Sequence, residues 1–418
     1  MTSTLLSLLL LAFPGFINDQ PIVQPQGAMI VGDILPASYG SPNPYVGSGA
    51  TPTLVHSEEI YLPGATYVAP YFSRFELAPG DYVIVRSPSG HRSWTYEGFG
   101  KAELGRTDGF WGIHVTGERL VIELYAAGSR TGYGYTVGSV ARGFAPLTPT
   151  KALCGADDKE NAQCYSDSHP EIYSQSRAVA RLLINGSGLC TGWLVGSEGH
   201  LFTNNHCMSS QNSAMNTNYE FGAEGTCGQN CPQLQCDGII ETTTGTMIQT
   251  SAALDYTLVQ LSVNLTDTYG YFQLRESGPV VDERLYIPQH PGGRGKEIAV
   301  FSDDANDQTG FLEVDSIFNN GGRMMATYYG DTEGGSSGSP VVGYSDNCAV
   351  VVHSGAFGCS GLGNTGTVVN QVIGDLGANV PADAVVSSGP CTGAIGGEDI
   401  FSDGFEAGNT SAWTLTAP

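Results

Sequence analysis

The N-terminal part of the chain alternates between hydrophobic and polar residues with a period of two. From residue 28 to about residue 145, short runs of this kind are separated by turn-forming residues: TYVAPYFSRFEL, DYVIVRS, FWGIHV, RLVIELYAAG and TGYGYTV. A period of two is the pattern of a strand with one buried face, and short strands at this spacing are typical of two packed sheets. We therefore predict a β-sandwich or jelly roll over residues 28–145.

A second β-rich block runs from residue 154 to about residue 380. Residues 146–153, within the Pro- and Thr-rich stretch APLTPTKA, are interpreted as a linker. Residues 381–418 are rich in Gly, Ser and Ala, which predicts a flexible C-terminal tail. The run IFSDGFEAGNTSAW in this tail resembles a short C-terminal signature of secreted bacterial proteins, which favours a bacterial source.

The first 27 residues form a signal-like apolar segment. Its core, from Leu5 to Phe13, suits a secretory signal and is too short for a bilayer span of roughly 20 residues. No Lys or Arg precedes Arg74, so the basic start of a typical signal is missing, and a buried first strand is the alternative interpretation. No other stretch is apolar enough to cross a membrane, so we expect a secreted protein without stable membrane insertion.

Composition narrows the class of protein further. The 57 Gly and 22 Pro interrupt the chain too often for long helices and favour an all-β fold. With 17 Lys and Arg against 41 Asp and Glu, the net charge of −24 excludes nucleic acid as the default partner and disfavours an anionic membrane surface. The 10 cysteines all lie between Cys154 and Cys391, and an even number in an exported chain predicts disulfides.

Three segments of the second block carry residues suited to nucleophilic catalysis. LCTGWLVGSEGHLFTNNHC ends in His206 and a Cys, ALDYTLVQL places Asp255 before an apolar strand, and DTEGGSSGSPVV places Ser337 in a Gly-rich turn. A serine hydroxyl is a weak nucleophile that needs an adjacent base, and the base needs a carboxylate to fix its tautomer. Each residue alone fits a structural role, but together they predict a Ser-His-Asp triad.

These segments resemble trypsin-like serine endopeptidases of the bacterial glutamyl and lysyl endopeptidase type. The matching motifs are TNNHC, DYTLV, GGSSGSPVV and the His-Pro segment IPQHPGG. The resemblance implies a double six-stranded β-barrel of chymotrypsin type with the triad between the barrels, and protein or peptide substrates. We expect no cofactor and no metal, because the CGQNCPQLQC cysteines should oxidise in an exported chain and the spacing in FSDDANDQTG does not match a calcium loop. The resemblance also implies a monomer by default. The N–H groups of Gly335 and Ser337 are the candidate oxyanion donors.

Ser336 precedes the candidate nucleophile, where digestive proteases of this fold have an Asp that pairs with a newly cut N-terminus. That activation switch is therefore excluded here. The sandwich itself resembles the CUB-like sandwich that precedes the catalytic domain in some secreted proteases. We predict that residues 28–145 act as a folding or inhibitory pro-segment, as in a zymogen, with a retained binding module as the alternative.

The resemblance also implies disulfide pairs. Cys190 and Cys207 would form the bridge beside the base, Cys154 would pair with Cys359, and Cys164 would pair with Cys227, Cys231 or Cys236. Cys348 and Cys391 stay unassigned.

The candidate specificity pocket gives conflicting signals. Asp331 lies where trypsin keeps the carboxylate that binds Lys or Arg, whereas Thr332 and His353 match positions that bind Glu in glutamyl endopeptidases. The loop after Cys359 has no Asp where lysyl endopeptidases carry their Lys-selecting one. We therefore favour Glu, Asp or a polar residue before the scissile bond.

Two other functions remain open from the sequence. One is an inactive protease homologue, although no triad residue is missing. The other is a surface- or carbohydrate-binding protein led by the sandwich, with Trp94, Tyr96, Phe99 and Trp111 as a binding platform.

Overall fold

The computed structural model describes residues 27–101, 109–128, 131–144, 151–229, 231–304, 307 and 309–393, together with the backbone of Phe16–Ile17. Most of the predicted signal-like segment, most of the linker and the C-terminal run IFSDGFEAGNTSAW lie outside these ranges. Among the described residues, no helix is both long and apolar enough to cross a membrane.

The N-terminal part is built from short strands, as the period-two pattern predicts. In chain order the strands are β1 Phe16–Ile17, β2 Met29–Ile30, β3 Gly32–Gly40, β4 Tyr45–Val46, β5 Thr53–Tyr61, β6 Tyr67–Glu76, β7 Tyr82–Arg86, β8 Ser93–Glu97, β9 Phe110–Trp111, β10 Val115–Thr116, β11 Arg119–Ala126, β12 Thr131–Gly132 and β13 Gly134–Gly143.

Most of these strands form two antiparallel sheets that enclose one hydrophobic core, while β4 pairs with β12 and β2 pairs with β17 (Gly188–Val195) of the second block. One sheet has the order β1-β3-β13-β6-β10, with β9 also paired to β6, and the other has the order β5-β11-β7-β8. β7 shows why the sequence pattern works, because Val83 and Val85 are fully buried while Tyr82, Ile84 and Arg86 are only partly buried. The core includes Phe72 and Tyr96, which confirms the sandwich.

The second block contains the remaining strands and five short helices. Its elements are β14 Lys151–Ala152, β15 Glu160–Asn161, α1 Tyr165–Ser168, α2 Pro170–Ser176, β16 Val179–Ile184, β17 Gly188–Val195, β18 His200–Thr203, α3 Gln211–Met215, β19 Thr217–Phe221, β20 Ile239–Thr242, β21 Gly245–Ser251, β22 Tyr256–Leu261, α4 Thr266–Tyr269, β23 Leu274–Arg275, β24 Leu285–Gln289, β25 Glu297–Ala299, β26 Ser316–Asn320, β27 Arg323–Tyr328, β28 Thr332–Glu333, β29 Pro340–Gly343, β30 Ala349–Gly358, β31 Gly363–Val368, α5 Val369–Leu376 and β32 Val385–Val386. Short 3₁₀ turns lie at Ala162–Cys164, Pro291–Gly293 and Gly377–Asn379.

The second block consists of two large, mainly antiparallel sheets. The first has the order β20-β19-β16-β17-β18-β22-β21, and the second has the order β15-β25-β24-β29-β30-β31-β27-β26, with β23 paired to β30 and β32 paired to β23. Short edge strands raise both sheets above the six strands that the resemblance implies. The all-β fold class, a sandwich followed by a double barrel, is confirmed.

β16 and β17 are buried along their whole length, with no alternation of exposed positions. Their sequences, VARLLI and GLCTGWLV, are correspondingly rich in apolar residues, as expected for strands covered on both faces. One face contributes Leu182 and Cys190 to the core of the second block. The other face contributes Leu183 and Leu189 to a cluster shared with the sandwich, so the sandwich docks on this sheet.

The docking interface also contains a buried ionic cluster. The Glu220 carboxylate of β19 accepts hydrogen bonds from Arg92 of the sandwich and, at 3.0 Å, from the Nε of Arg181. His114 of the sandwich contacts Arg92, with 2.6 Å between its Nε2 and the Nη1 of Arg92. Burial and the neighbouring Arg92 lower the pKa of His114 to about 4, which keeps the imidazole neutral. We call Arg92, His114, Arg181 and Glu220 the interface ion cluster.

The predicted boundary at residue 380 needs correction. Val385–Val386 pairs in parallel with Leu274–Arg275, and Cys391 is bonded to Cys348. The second block therefore extends at least to residue 393, and residues 381–393 are not a flexible tail. The sequence pattern missed this because a two-residue edge strand has no periodicity of its own.

Candidate active site

His206 lies in a turn after β18 and is held by Asp255. The two carboxylate oxygens of Asp255 lie 3.1 and 2.9 Å from the imidazole Nδ1, and the backbone N–H of His206 donates to Oδ1 at 2.9 Å. Asp255 immediately precedes β22 with a φ of +52°, a left-handed conformation that Asp tolerates better than most residues. The Asn204 amide donates to the Asp255 carbonyl at 2.8 Å and fixes this corner.

Ser337 lies at the end of a tight turn between β28 and β29. We call residues 333–337 the nucleophile turn. Within it, the N–H of Ser336 donates to the carbonyl of Glu333 at 3.0 Å, and the N–H of Glu333 donates to the Ser336 hydroxyl at 3.1 Å. Gly335 has a φ of +94°, and a Cβ atom at this position would lie 2.8 Å from the carbonyl oxygen of His290. Only glycine fits this bend without strain.

The nucleophile turn packs directly against the strand that leads to the histidine. The carbonyl of Ser337 accepts a hydrogen bond from the N–H of Thr191 in β17 at 2.9 Å and lies 3.9 Å from the sulfur of Cys207, the residue after His206. Ser337 is partly exposed, and about a third of the His206 side chain is exposed (32%). Among the described residues, the Ser337 hydroxyl has no hydrogen-bond partner, as is common for catalytic groups before substrate binds. The structure thus brings the three predicted residues to one surface.

Two backbone donors next to Ser337 are free. The N–H groups of Gly335 and Ser337 donate to no acceptor within the described ranges, whereas the N–H of Ser336 between them is used inside the turn. Free backbone N–H groups beside a nucleophile are the donors from which an oxyanion hole is built.

A buried ion cluster supports the nucleophile turn, and the sequence analysis missed it. Arg294 donates to both oxygens of Glu333, at 2.7 and 3.1 Å, and the Lys159 ammonium lies 3.3 Å from Glu333 Oε1. Although burial raises the pKa of Glu333, the Arg294 hydrogen bonds outweigh it and hold the pKa below its ordinary value. Ser336, in the same turn, cannot form the ion pair with a cut N-terminus that digestive proteases use. The ion pairs of Glu333 therefore stabilise the turn without a cut N-terminus.

Arg323 is a second residue that the sequence did not indicate. Its guanidinium lies 3.8 Å from the Oδ2 of Asp255 and donates to the hydroxyls of Ser354 and Thr367, at 2.7 Å each. A lone Arg in a Gly-rich hairpin carries no sequence signal for such a contact.

Asp331, a candidate residue of the specificity pocket, has both of its carboxylate oxygens bound by backbone N–H groups. It is buried, its Oδ1 accepts the N–H of Cys154 at 2.8 Å, and its Oδ2 accepts the N–H of Asp158 at 2.7 Å. Burial raises its pKa despite these bonds. Both oxygens therefore serve to anchor the start of the second block.

Thr332 and His353 belong to a buried polar group that spans β27, β28, β30 and β31. The hydroxyl of Thr332 donates to Asn364 Oδ1 at 2.7 Å, and the Nδ1 of His353 lies 2.7 Å from the hydroxyl of Tyr328. Burial, together with the nearby His206, lowers the pKa of His353 to about 3, so its imidazole is neutral at pH 7. Tyr328 and Asn364 are members of this buried polar group that the sequence did not indicate.

All 10 cysteines are paired. Cys190–Cys207 and Cys154–Cys359 are the pairs that the resemblance implies, and Cys164 takes Cys227 from the three alternatives. The other pairs are Cys231–Cys236 and Cys348–Cys391. In the described ranges, the group of close metal-ligating side chains is Cys190, His206 and Cys207, but the disulfide uses both sulfurs. This site is not suited to a metal ion.

The fold is that of a chymotrypsin-like all-β protein. The family model for the C-terminal domain of lysyl endopeptidase matches residues 156–368, more than half of the chain, and the protein belongs to this family. Among curated proteins, secreted RxLR effector protein 73 of Plasmopara viticola is 39% identical over 334 residues, which cover 75% of this chain and 79% of the effector.

Solved protease structures match about half of the chain or slightly more at low identity. The active form of the Rv3671c protease from M. tuberculosis is 14% identical with a TM-score of 0.38, and the match covers 59% of this chain and 97% of that chain. A Glu endopeptidase in complex with MPD is 18% identical with a TM-score of 0.35, and the match covers 53% of this chain and 96% of that chain.

Proposed function

We propose that the protein is a secreted serine endopeptidase that hydrolyses peptide bonds through an acyl-enzyme intermediate. One observation carries this proposal: the Asp255 carboxylate is hydrogen-bonded to both the Nδ1 and the backbone N–H of His206. The Gly-rich turn that contains Ser337 lies beside this pair. This is the arrangement that activates a serine hydroxyl.

Each member of the triad has one role in the proposed mechanism. Ser337 Oγ attacks the peptide carbonyl while His206 Nε2 takes its proton. His206 then gives that proton to the leaving amine, and the acyl group stays on Ser337. A water molecule, activated by His206 in the same way, then attacks the acyl group and releases it from Ser337. Asp255 keeps the Nδ1 proton of His206 in place and stabilises the imidazolium that forms.

Charge on the reacting oxygen is stabilised by the free N–H groups of Gly335 and Ser337. Such donors are effective because they are fixed before the reaction starts. Arg294 and Lys159 would act indirectly, without contacting the substrate, because they bind the Glu333 carboxylate at the start of the nucleophile turn. We assign them a positioning role.

Export and domain organisation form part of the same proposal. Five disulfides fit an oxidising compartment, and the Plasmopara relative is named as a secreted protein. Residues 1–27 would direct export, residues 28–145 would form a CUB-like accessory module and the second block would carry the peptidase activity. The run that favours a bacterial source lies outside the described residues, so that source stays a prediction.

The alternative of a sandwich-led binding protein has less support. Its four aromatic residues share no exposed surface, because Tyr96 lies in the sandwich core and Trp111 packs at the interface with the second block. Phe99 is exposed at 44%. An inactive homologue is also disfavoured, since Ser337, His206 and Asp255 are all present in the sequence.

Labelling with a fluorophosphonate tests the proposed function. We expect a single covalent adduct on Ser337, identified by peptide mass spectrometry, because only an activated serine reacts rapidly with such a probe. Heat-unfolded protein is the control and should stay unlabelled. Folded protein that gains no adduct at Ser337 would contradict the proposal.

We also propose that the buried polar group of Thr332 and His353 borders the specificity pocket, here called the polar pocket, and that this pocket prefers Glu, Asp or a polar residue before the scissile bond. Both Asp331 oxygens accept backbone N–H groups, which leaves no free carboxylate there for a Lys side chain. When the Tyr328 hydroxyl donates to His353 Nδ1, the imidazole proton lies on Nε2 and is available to a substrate oxygen. The membership in the lysyl endopeptidase family favours Lys instead, so the preference needs a direct test.

A peptide-library digest read by mass spectrometry measures this preference. Cleavage is expected after Glu, Asp or Gln, and His353→Gln should lower kcat/KM for these sites by about 10–100-fold, since a hydrogen bond to a charged group contributes about 1.5–3 kcal/mol. Asp331→Asn is the matched variant and should keep the same preference. Cleavage only after Lys or Arg would overturn the proposal.

A further inference from the structure

Residues 27–30, here called the cleft segment, leave the sandwich and cross to the first sheet of the second block. Met29–Ile30 forms an antiparallel pair with Gly188–Leu189 at the start of β17. The N–H of Val31 extends this pairing by donating to the carbonyl of Ser187 at 2.9 Å. The cleft segment therefore adds a strand to the sheet, which is a common way for proteins to bind an extended peptide.

The cleft segment lies against both halves of the proposed active site. A Cβ atom placed on Gly27 would lie 2.6 Å from the carbonyl oxygen of His206, and a Cβ atom placed on Gly334 would lie 2.9 Å from the sulfur of Met29. Gly334 belongs to the nucleophile turn. The cleft segment thus runs from the histidine to this turn, through space that a polypeptide substrate would also need.

The sandwich fixes the cleft segment in this position. Val31 is fully buried in the shared cluster, with Tyr67 and Trp111 of the sandwich and Leu183 and Leu189 of the second block. The next residue begins β3 of the sandwich. Because the interface ion cluster holds the two parts together, the segment is tethered beside the site at all times.

The geometry points to the start of β17 as the binding edge for one side of an extended polypeptide substrate, filled in the full chain by its own cleft segment. This inference rests on the proposed serine endopeptidase. It also gives the two parts of the N-terminal region different roles. The sandwich stays attached to the second block, and residues 27–30 compete with the substrate for the edge of β17. His353 lies in β30 of the other sheet, so a small substrate that needs only Ser337 and the proposed pocket beside His353 would not compete with the cleft segment.

The expected effect differs between long and short substrates. A tethered segment has an effective concentration on the order of mM, so even weak pairing occupies the edge most of the time. Polypeptide substrates must displace it, which raises their KM and lowers kcat/KM about tenfold. A small ester that reaches only the pocket and Ser337 should be hydrolysed at nearly the same rate with or without the cleft segment.

Met29→Pro in the full chain tests the inference. Proline removes the N–H at the centre of the β2 pairing, so the segment should leave the edge. We expect kcat/KM to rise about tenfold for an unfolded polypeptide such as reduced casein, and to change less than twofold for a small Gln or Glu ester. Val46→Pro is the matched control, because it places a proline in another two-residue strand, β4, far from the site.

A synthetic peptide provides a second measurement. PQGAMIVG, which copies residues 25–32, should inhibit the Met29→Pro protein competitively against casein and restore the wild-type rate. The same peptide with proline in place of its methionine should have no effect. This arm does not depend on how well the substituted segment folds.

The outcomes separate the inference from the proposed function. Equal casein rates for wild type and Met29→Pro, with no inhibition by PQGAMIVG, would overturn the inference while ester hydrolysis still supported a protease. An equal rise for casein and ester would also overturn it, since the segment would then act on the catalytic groups themselves. If folded wild-type and Met29→Pro proteins hydrolyse neither substrate, the proposed function fails.

Discussion

Replacing Ser337 with alanine is expected to lower kcat for peptide or ester hydrolysis by about 10⁴–10⁶-fold. The change removes one hydroxyl that has no hydrogen-bond partner among the described residues, so the thermal unfolding midpoint should move by less than about 2 °C. Steady-state kinetics and a thermal scan on the same sample measure both quantities. The combination of a large kinetic effect and a negligible structural one identifies a nucleophile.

Two further variants distinguish a triad from a single reactive serine. Ser209→Ala, at an exposed serine three residues after His206, is the control and should leave kcat unchanged. His206→Ala should lose about as much activity as Ser337→Ala, and the double variant should lose little more, because triad members act as a unit. Independent, multiplicative losses would show that His206 and Ser337 do not share one mechanism.

The sequence predicted the parts of the molecule that have local signals. Alternation in DYVIVRS predicted the half-buried strand β7, and the Gly-rich segment before Ser337 predicted a tight turn, which the positive φ of Gly335 requires. His206 follows β18 and Asp255 precedes β22. Because these two strands pair antiparallel, the two residues lie at the same end of the pair.

The parts that the sequence missed depend on contacts between distant residues. Glu333 meets Lys159 and Arg294 only after the second block has folded, and no local pattern marks these three as partners. Asp331 was a candidate for binding substrate because of its position before Ser337. Its actual partners, two backbone N–H groups at the start of the block, carry no side-chain signal at all.

The second large effect is expected at the interface ion cluster. Glu220 and Arg181 are almost fully buried, and Glu220 is shared by Arg181 and Arg92. Burial raises the pKa of Glu220, but the two arginines outweigh it and hold the pKa far below its ordinary value of 4.5. Removing the carboxylate would take away the ion-pair partner of the buried Arg181 guanidinium and leave Arg92 with Asp237, whose Oδ1 lies 3.2 Å from the Nη2 of Arg92.

Glu220→Gln is therefore expected to destabilise the protein by about 3–5 kcal/mol, the usual cost of breaking a buried ion pair from one side. The measurement is urea unfolding at pH 7, followed by tryptophan fluorescence and by limited proteolysis between the sandwich and the second block. Proteolysis should begin at lower urea than in wild type, because the cluster joins these two parts. Glu59→Gln is the control, since Glu59 pairs with Arg119 on the surface with both side chains nearly half exposed, and its cost should stay below about 1 kcal/mol.

The difference in unfolding free energy between the wild type and Glu220→Gln should also depend on pH, and the direction of this dependence can be predicted. Because folding lowers the pKa of Glu220, its ionised form stabilises the wild type fully above about pH 4.5, and that contribution is lost as the pH falls towards the folded-state value. The stability difference between wild type and Glu220→Gln should therefore be constant from pH 7 to about pH 5 and shrink below that. A difference that grows on acidification would mean that Glu220 does not stabilise the interface as a carboxylate, and the sandwich would then be held mainly by the apolar cluster around Val31 and Trp111.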